Sequence, residues 1–373
     1  MHKLRIYLSP VLFPVSLIYA LVVYIRNRLY DYHVIKSTEF KIPLISVGNI
    51  TVGGTGKTPH IEYLIEVLQK DFKIATLSRG YKRTSKGFIL ATSRSTANDI
   101  GDEPRQIKQK FPDVIVAVDS NRVNGINKLL EIYPDIDVVL LDDAYQHRKV
   151  KATLSILLID YSNPICKDHI LPFGNLREQS SEMCRANMII ITKSPAGLKP
   201  IDRRILLNDL KPYPYQDVFF TTFDYGDLNP VFSTEKKNIS LRDVRNYSIV
   251  LVTGIANPKP LFNYLYENVS KNIDLLQYED HYPFSANDIK TIEKKFLELN
   301  SINKVIITTE KDAMRLQIFS NIANNLKENW FYLPVKVVFQ NDHKEHFNHQ
   351  INEYVRKNKT HGFLYPKQSK IYS

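Results

Sequence analysis

GNITVGGTGKTPH, residues 48–60, lies between an apolar run, IPLISVGN at 42–49, and an amphipathic one, HIEYLIEVLQK at 60–70. A strand, a glycine-rich turn and a helix in that order make a phosphate-binding loop. Gly53, Gly54 and Gly56 let the backbone turn tightly with its N–H groups pointing inward. Lys57 is placed to reach the β- and γ-phosphates of a nucleotide, and the Thr58 hydroxyl to ligate Mg2+. The helix N-terminus adds its dipole. The nucleotide-binding stretch is therefore Thr51, Val52, Gly53, Gly54, Thr55, Gly56, Lys57 and Thr58. The general pattern opens on a glycine five residues before the second one, and Thr51 stands there instead.

Downstream, KIATLSRG, DVIVAV, DVVLLDD, LSILLID and NMIIITK follow as short β-branched runs separated by helical stretches. Such alternation predicts an α/β fold, a P-loop NTPase-like parallel sheet covered on both faces, with ligands at its strand ends. The texture turns aromatic and turn-rich around residues 212–235. A second, smaller α/β pattern then runs through YSIVLVTGIANP, the helix PKPLFNYLYENV and the strand KVIITTEKDA, with FYLPVKVVF near residue 335 as one returning strand. The expected organisation is an apolar membrane-associating segment at 1–30, a P-loop domain at 31–215, a linker at 216–244, a second domain at 245–340 and a polar basic tail at 341–373.

The 373 residues, 43% hydrophobic and 24% charged, have globular proportions, which excludes wholesale disorder and collagen-like or coiled-coil classes. Two cysteines, Cys166 and Cys184, exclude a disulfide scaffold and a cysteine-rich zinc site. A net charge of +11 favours acidic partners: phosphates, nucleotides or an anionic membrane. The basic residues are dispersed, without an aromatic-interleaved stripe, so nucleic acid is not an expected partner. Residues 6–25 carry no charge and are flanked by Lys3, Arg5, Arg26 and Arg28. Pro10 and Pro14 interrupt them, and positive charge at both ends fails to orient a span. The segment reads as a helix lying in one leaflet with basic ends on anionic lipid, against the alternatives of a true span or a core helix.

Asp142 and Asp143 end an apolar strand, where P-loop proteins hold Mg2+. His147 and Arg148 follow at loop spacing, facing the nucleotide or capping a turn. SRGYKR at 78–83, GDEPRQ at 101–106 and LPFGNLREQ at 171–179 each combine an arginine with a small turn residue, as phosphate sites do and as solvated loops also do. Asp102 also suits a helix start near Pro104. His343, His346 and His349 have helical spacing, but Lys344 and the lack of further ligands point to a solvated face rather than a metal site.

The ordered series VGNITVGGTGKTP, SRGYKR, GDEPRQI, DDAYQHR, LPFGNLREQ, ITK, TGIANP, DHYPFS and TTEKDAMRL resembles the lipid A tetraacyldisaccharide 4′-kinases, the LpxK family, over roughly residues 42–316. Thr51 is that family's own habit, whereas Ala144 and Tyr145 replace its more usual Gly-Leu or Gly-Phe. The resemblance implies an ATP- and Mg2+-dependent kinase at the cytoplasmic face of a bacterial inner membrane, acting on a lipid disaccharide; the expected state is a monomer. Its acceptor would be the 4′-hydroxyl of a tetraacylated glucosamine disaccharide 1-phosphate. It implies two α/β/α domains joined by a two-stranded linker, with the active site in the cleft. Asp102 falls on the family's catalytic acid and His281 on its partner histidine. Tyr81, His147, Arg177 and Glu178 fall on its substrate or transition-state residues, and Thr58, Asp142 and Asp143 on its metal site. The competing reading is a membrane-associated deviant-Walker ATPase switch, whose signature lysine would occupy position 52, where Val52 stands.

Overall fold

The computed structural model describes residues 9–232, 237–319, 321–340 and 343–363. Lys3, Arg5, the start of the apolar segment and the last ten residues of the expected tail lie outside the described residues. Two sheets organise the chain. The larger takes the order β14-β8-β7-β6-β1-β5-β2-β4-β3. Its strands are β1 (Leu44–Gly48), β2 (Ile74–Ser78), β3 (Ile89–Leu90), β4 (Ile115–Val118), β5 (Val138–Asp142), β6 (Leu154–Asp160), β7 (Met188–Thr192), β8 (Asp217–Tyr225) and β14 (Val335–Phe339). All pairings from β8 through β4 are parallel, and only the edges β3 and β14 run antiparallel. β1, β2, β4, β5 and β7 are buried throughout, as continuous apolar runs in a doubly covered sheet require.

The smaller sheet has the order β11-β10-β12-β13-β9, from β9 (Asn229–Pro230), β10 (Ser248–Thr253), β11 (Ile273–Gln277), β12 (Lys304–Thr309) and β13 (Trp330–Leu333). It is parallel apart from β9, and its core centres on the fully buried Trp330. Two of the expected boundaries are corrected. The stretch expected to be linker contains β8, a full member of the larger sheet paired with β7 and β14. FYLPVKVVF is two strands rather than one: Pro334 separates β13 in the smaller sheet from β14 in the larger. Proline lacks the N–H that a ladder needs, so pairing is interrupted where the chain passes from one sheet to the other. The outgoing strand crosses beside it, with Gly226 N–H donating to the Pro334 carbonyl at 3.1 Å.

The expected tail instead begins with the helix His343–Phe363. Phe347, Ile351 and Val355, four residues apart, bury one face of it in the main core. The rings of His343 and His346 on this helix lie against Phe219.

The N-terminal helix Ser9–Asp31 is apolar on the outside. Val11, Leu17, Ile18, Leu21, Val22 and Ile25 are exposed, whereas Ser16, Val23 and Asn27 face the protein. That arrangement excludes a core helix. Ser16 Oγ donates to the Ile170 carbonyl and accepts from Phe173 N–H, and Tyr19 donates to the Arg177 carbonyl. Arg26, expected to meet lipid, instead turns inward to Glu178 at 2.8 Å, because an otherwise buried carboxylate needs a cation.

Candidate functional site

The loop after β1 needs its glycines at two places. Gly53 and Gly56 have φ values of 113° and 87°, a left-handed backbone that suits glycine. A Cβ on Gly56 would also stand 2.4 Å from the Phe223 ring, so the start of the helix Lys57–Leu68 has no room for a side chain there. Around Gly53 and Gly54 nothing lies within 4 Å of such a Cβ, leaving the hollow of the loop open. Lys57 Nζ lies 3.5 Å from Asp143 Oδ1 and 3.4 Å from Asn49 Oδ1, near the end of β5.

Asp142 and Asp143 have the character of a cation site. Asp142 is buried, and burial together with the charge of Asp143 pushes its carboxyl up to about 7. Its Oδ1 has no partner among the described residues, and neither does the buried Thr55 hydroxyl. Burial also pushes Asp143 upward, but Lys57 and Arg177 outweigh it and hold that carboxyl below its usual range. An orphaned buried carboxylate oxygen beside a second carboxylate and a phosphate-binding loop fits a hard divalent cation, which takes its remaining ligands from phosphate and water. Thr58 is half-buried in the first turn of the same helix.

The LPFGNLREQ segment is pinned to this loop. Val52 N–H donates to the Asn175 carbonyl and Arg177 N–H to that of Ile50, both at 2.7 Å. Thr51 and Leu176 form an antiparallel bridge. Arg177 thereby reaches Asp143, 3.4 Å from both carboxylate oxygens. Glu178 does not join it. Its side chain is 1% exposed and is held by Arg26, Asn27 and Arg185. The structure thus corrects the expectation for Glu178, which anchors the N-terminal helix instead of facing the cleft.

The SRGYKR and GDEPRQ segments meet through glycines. A Cβ on Gly101 would stand 3.2 Å from Gly80 Cα, and one on Gly80 would stand 2.8 Å from the Ile100 carbonyl oxygen. This close approach brings Tyr81 and Asp102 together. Asp102 is the first residue of the helix Asp102–Lys110 and does not cap it; Gly101 occupies the cap position. Its side chain points across the cleft instead. His281 Nδ1 lies 2.8 Å from Asp102 Oδ2. Arg315 donates to the same oxygen through Nε at 2.9 Å and NH2 at 2.7 Å. Burial raises the Asp102 carboxyl, but the hydrogen bonds from His281 and Arg315 outweigh it and bring it down to about 2. Tyr81 packs edge-on against His281 with ring centres 5.0 Å apart. Glu103, next to Asp102, contributes to the upward push on Asp142.

His147 lies in the loop after β5, its backbone N–H donating to the Ala144 carbonyl at 2.9 Å. Burial first, then the charges of Arg122, Lys149 and Arg79, lower it to about 4, and its Nε2 is buried without a partner among the described residues. Arg148 is turned away, bonded to Asp31 and to the Asn27 carbonyl of the N-terminal helix. Four residues gain a place that motif reading had not assigned. Lys193 donates to the Gly54 carbonyl and pairs with Asp160 at 2.6 Å. Arg122, buried, donates to the Asp142 carbonyl at 3.3 Å. Lys311 and Arg315 sit beside the Asp102–His281 contact. The last pair was visible as two basic residues four apart after a strand, a spacing that puts both on one helix face.

The family model for tetraacyldisaccharide-1-P 4′-kinase matches residues 8–356. A tetraacyldisaccharide 4′-kinase of Phocaeicola vulgatus is 48% identical over 93% of this chain and 95% of its own length. One from Flavobacterium johnsoniae is 45% identical over 94% and 98%. The crystal structure of LpxK from Aquifex aeolicus in complex with ATP superposes with a TM-score of 0.72 at 28% identity, covering 94% of this chain and 99% of that one.

Proposed function

The chain belongs to the LpxK family of tetraacyldisaccharide-1-P 4′-kinases, and on that premise we propose how its own residues divide the work. It is an ATP-dependent kinase of lipid A biosynthesis that phosphorylates the 4′-hydroxyl of a tetraacylated glucosamine disaccharide 1-phosphate. The observation that carries the assignment of roles is the 2.8 Å contact between Asp102 of the P-loop domain and His281 of the second domain.

Phosphoryl transfer needs positioning and charge neutralisation more than covalent help from the protein. The loop N–H groups and Lys57 bind the β- and γ-phosphates. Asp142, Asp143 and Thr58 would hold Mg2+, which would supply charge neutralisation at the phosphate oxygens. Arg177, fixed against the loop and beside Asp143, places a second cation at the transferred group. Asp102 accepts the proton of the acceptor hydroxyl as that oxygen forms its bond to the γ-phosphorus. The bond from the γ-phosphorus to the bridging oxygen breaks, and its electron pair leaves with ADP. His281 orients Asp102, and Tyr81 packs on His281 at the mouth of the cleft.

The exposed apolar face of the N-terminal helix lies in the cytoplasmic leaflet of the inner membrane, so that the sugar of a lipid with anchored chains reaches the cleft. Arg28 and the remaining basic surface meet anionic headgroups. The enzyme acts as a monomer, both halves of the site coming from one chain. The test is incubation with labelled ATP, Mg2+ and the lipid disaccharide, with the product identified by mass spectrometry. The expected product is heavier by one phosphoryl group at the 4′ position. Release of free phosphate alone would contradict the assignment and point to an ATPase switch.

A further inference from the structure

His281 and Asp102 do not stand alone; both are gripped from one short helix, Glu310–Leu316 of the second domain. Lys311 Nζ lies 2.8 Å from His281 Nε2. An ammonium group only donates hydrogen bonds, so Nε2 is the acceptor and the ring carries its proton on Nδ1, aimed at Asp102. Lys311 is itself flanked by Glu103 at 3.1 Å and Asp280 at 3.7 Å. One helical turn on, Arg315 donates twice to Asp102 Oδ2, the oxygen His281 also meets. Among the described residues no hydrogen bond reaches Oδ1. Arg315 is in turn held by Asp312 at 3.0 Å, and Asp312 by Gly254 N–H and the Thr309 hydroxyl. The grip is thus built into the buried base of β12.

We propose that Lys311 and Arg315 are positioning residues for phosphoryl transfer: Lys311 fixes the tautomer of His281, and Arg315 occupies Oδ2 of Asp102, leaving Oδ1 to take the acceptor proton. The proposal rests on the reading of Asp102 as the general base. It also explains how the base is coupled to the second domain. His281, Lys311 and Arg315 all reach the Asp102 helix from that domain, so Asp102 is correctly oriented only when the two halves meet. The titratable and charged groups facing Asp102 are His281 and Arg315 directly, with Lys311, Glu103, Asp280 and Asp312 one bond further out. Lysine in place of Arg315 keeps the charge and loses the two-pronged grip.

Two measurements test it. The first uses unmodified full-length enzyme with its histidines labelled with nitrogen-15, the His281 signal being assigned by its loss in His281→Gln. At pH 8 the ring should be in the Nδ1–H form, shifting toward a tautomer mixture in Lys311→Met. An Nε2–H ring in the unmodified enzyme would overturn the Lys311 role. The second compares Asp102→Asn, Arg315→Gln and Arg315→Lys with saturating ATP, Mg2+ and lipid disaccharide. Arg315→Gln should lose about 10²-fold in kcat with the KM for ATP within about twofold, and its acidic limb should move to higher pH. Arg315→Lys should keep the limb near its original position and still lose about tenfold in kcat, because the fork that selects Oδ1 is gone. Ordinary turnover in Asp102→Asn would remove the base itself and the proposal with it. An inactive Asp102→Asn beside fully active Arg315 variants would overturn the positioning role and leave the base in place. So would a loss in Arg315→Gln that follows thermal stability with the acidic limb unmoved.

Discussion

Glu178→Gln separates two readings of a residue that sits beside Arg177 in sequence. If Glu178 only anchors the N-terminal helix, the substitution should act on stability. The side chain accepts from Arg26 at 2.8 Å and Asn27 at 3.4 Å, and also pairs with Arg185. Hydrogen bonds to a charged group are worth about 1.5–3 kcal/mol each, and breaking a fully buried pair costs about 3–5 kcal/mol. Both figures need reduction here. Arg26 is 41% exposed and can turn into water. Arg185 retains Glu182 and the Tyr145 carbonyl, each at 2.9 Å. Glutamine also preserves one acceptor oxygen. A net loss of about 2 kcal/mol follows, which at roughly 2–4 °C per kcal/mol lowers the melting temperature by about 4–8 °C. Arg26→Met should destabilise less than additively with it, since the two changes remove one shared contact. The assay is thermal unfolding in detergent, with kcat measured well below the transition and expected to change by less than about fivefold. An unchanged melting temperature with a loss of about 10²-fold in kcat would refute the anchoring role and return Glu178 to the reacting groups.

Three further outcomes follow from the geometry. Lys57→Ala should leave the fold intact and slow transfer by roughly 10²–10³ at saturating ATP and Mg2+, and near-normal kcat would remove Lys57 from the phosphate site. Ile18→Asp with Leu21→Asp places charge on the exposed face of the N-terminal helix, so binding to phosphatidylglycerol vesicles should fall by about 10-fold or more with stability nearly unchanged, whereas undiminished binding would contradict the interfacial placement. Burial, and then the charge of Glu62, raise Glu310 to about 7 against the pull of Lys110. A carboxyl raised in the folded state stabilises it most at low pH, and that share is lost as pH rises from about 4.5 to 7. The stability of the unmodified enzyme relative to Glu310→Gln, read by denaturant titration, should fall across that window; a constant difference would contradict the buried placement of Glu310.

The strands and the phosphate loop were legible because burial on both faces of a parallel sheet demands unbroken apolar runs, and a loop that wraps phosphate demands glycine and lysine. Glu178 misled because a motif records identity and spacing, not direction: Arg177 and Glu178 are neighbours whose side chains leave the chain toward different partners. FYLPVKVVF read as one strand because apolar content is the same on both sides of Pro334, while only pairing distinguishes the sheets. The C-terminal helix was hidden by its polar majority, since its contact with the main core runs chiefly through Phe347, Ile351 and Val355, four residues apart. The grip of Lys311 and Arg315 depends on residues about 200 positions away, a juxtaposition no local pattern contains.

The central claim is that Asp102 and His281 act as one unit across the two domains, and a double-mutant comparison of kcat tests it most directly. Asp102→Asn, His281→Ala and the double variant are assayed with labelled ATP and the lipid disaccharide at saturation, after ATP binding and thermal stability are checked. Asp102→Asn should retain ATP binding, lose some thermal stability because Arg315 and His281 lose a charged partner, and lose about 10²–10⁴ in kcat well below its transition, the usual worth of a general base. His281→Ala should lose less, and the double variant less than the product of the two losses, because groups that act together are not additive. Ordinary turnover in Asp102→Asn, or losses that multiply strictly, would contradict the claim.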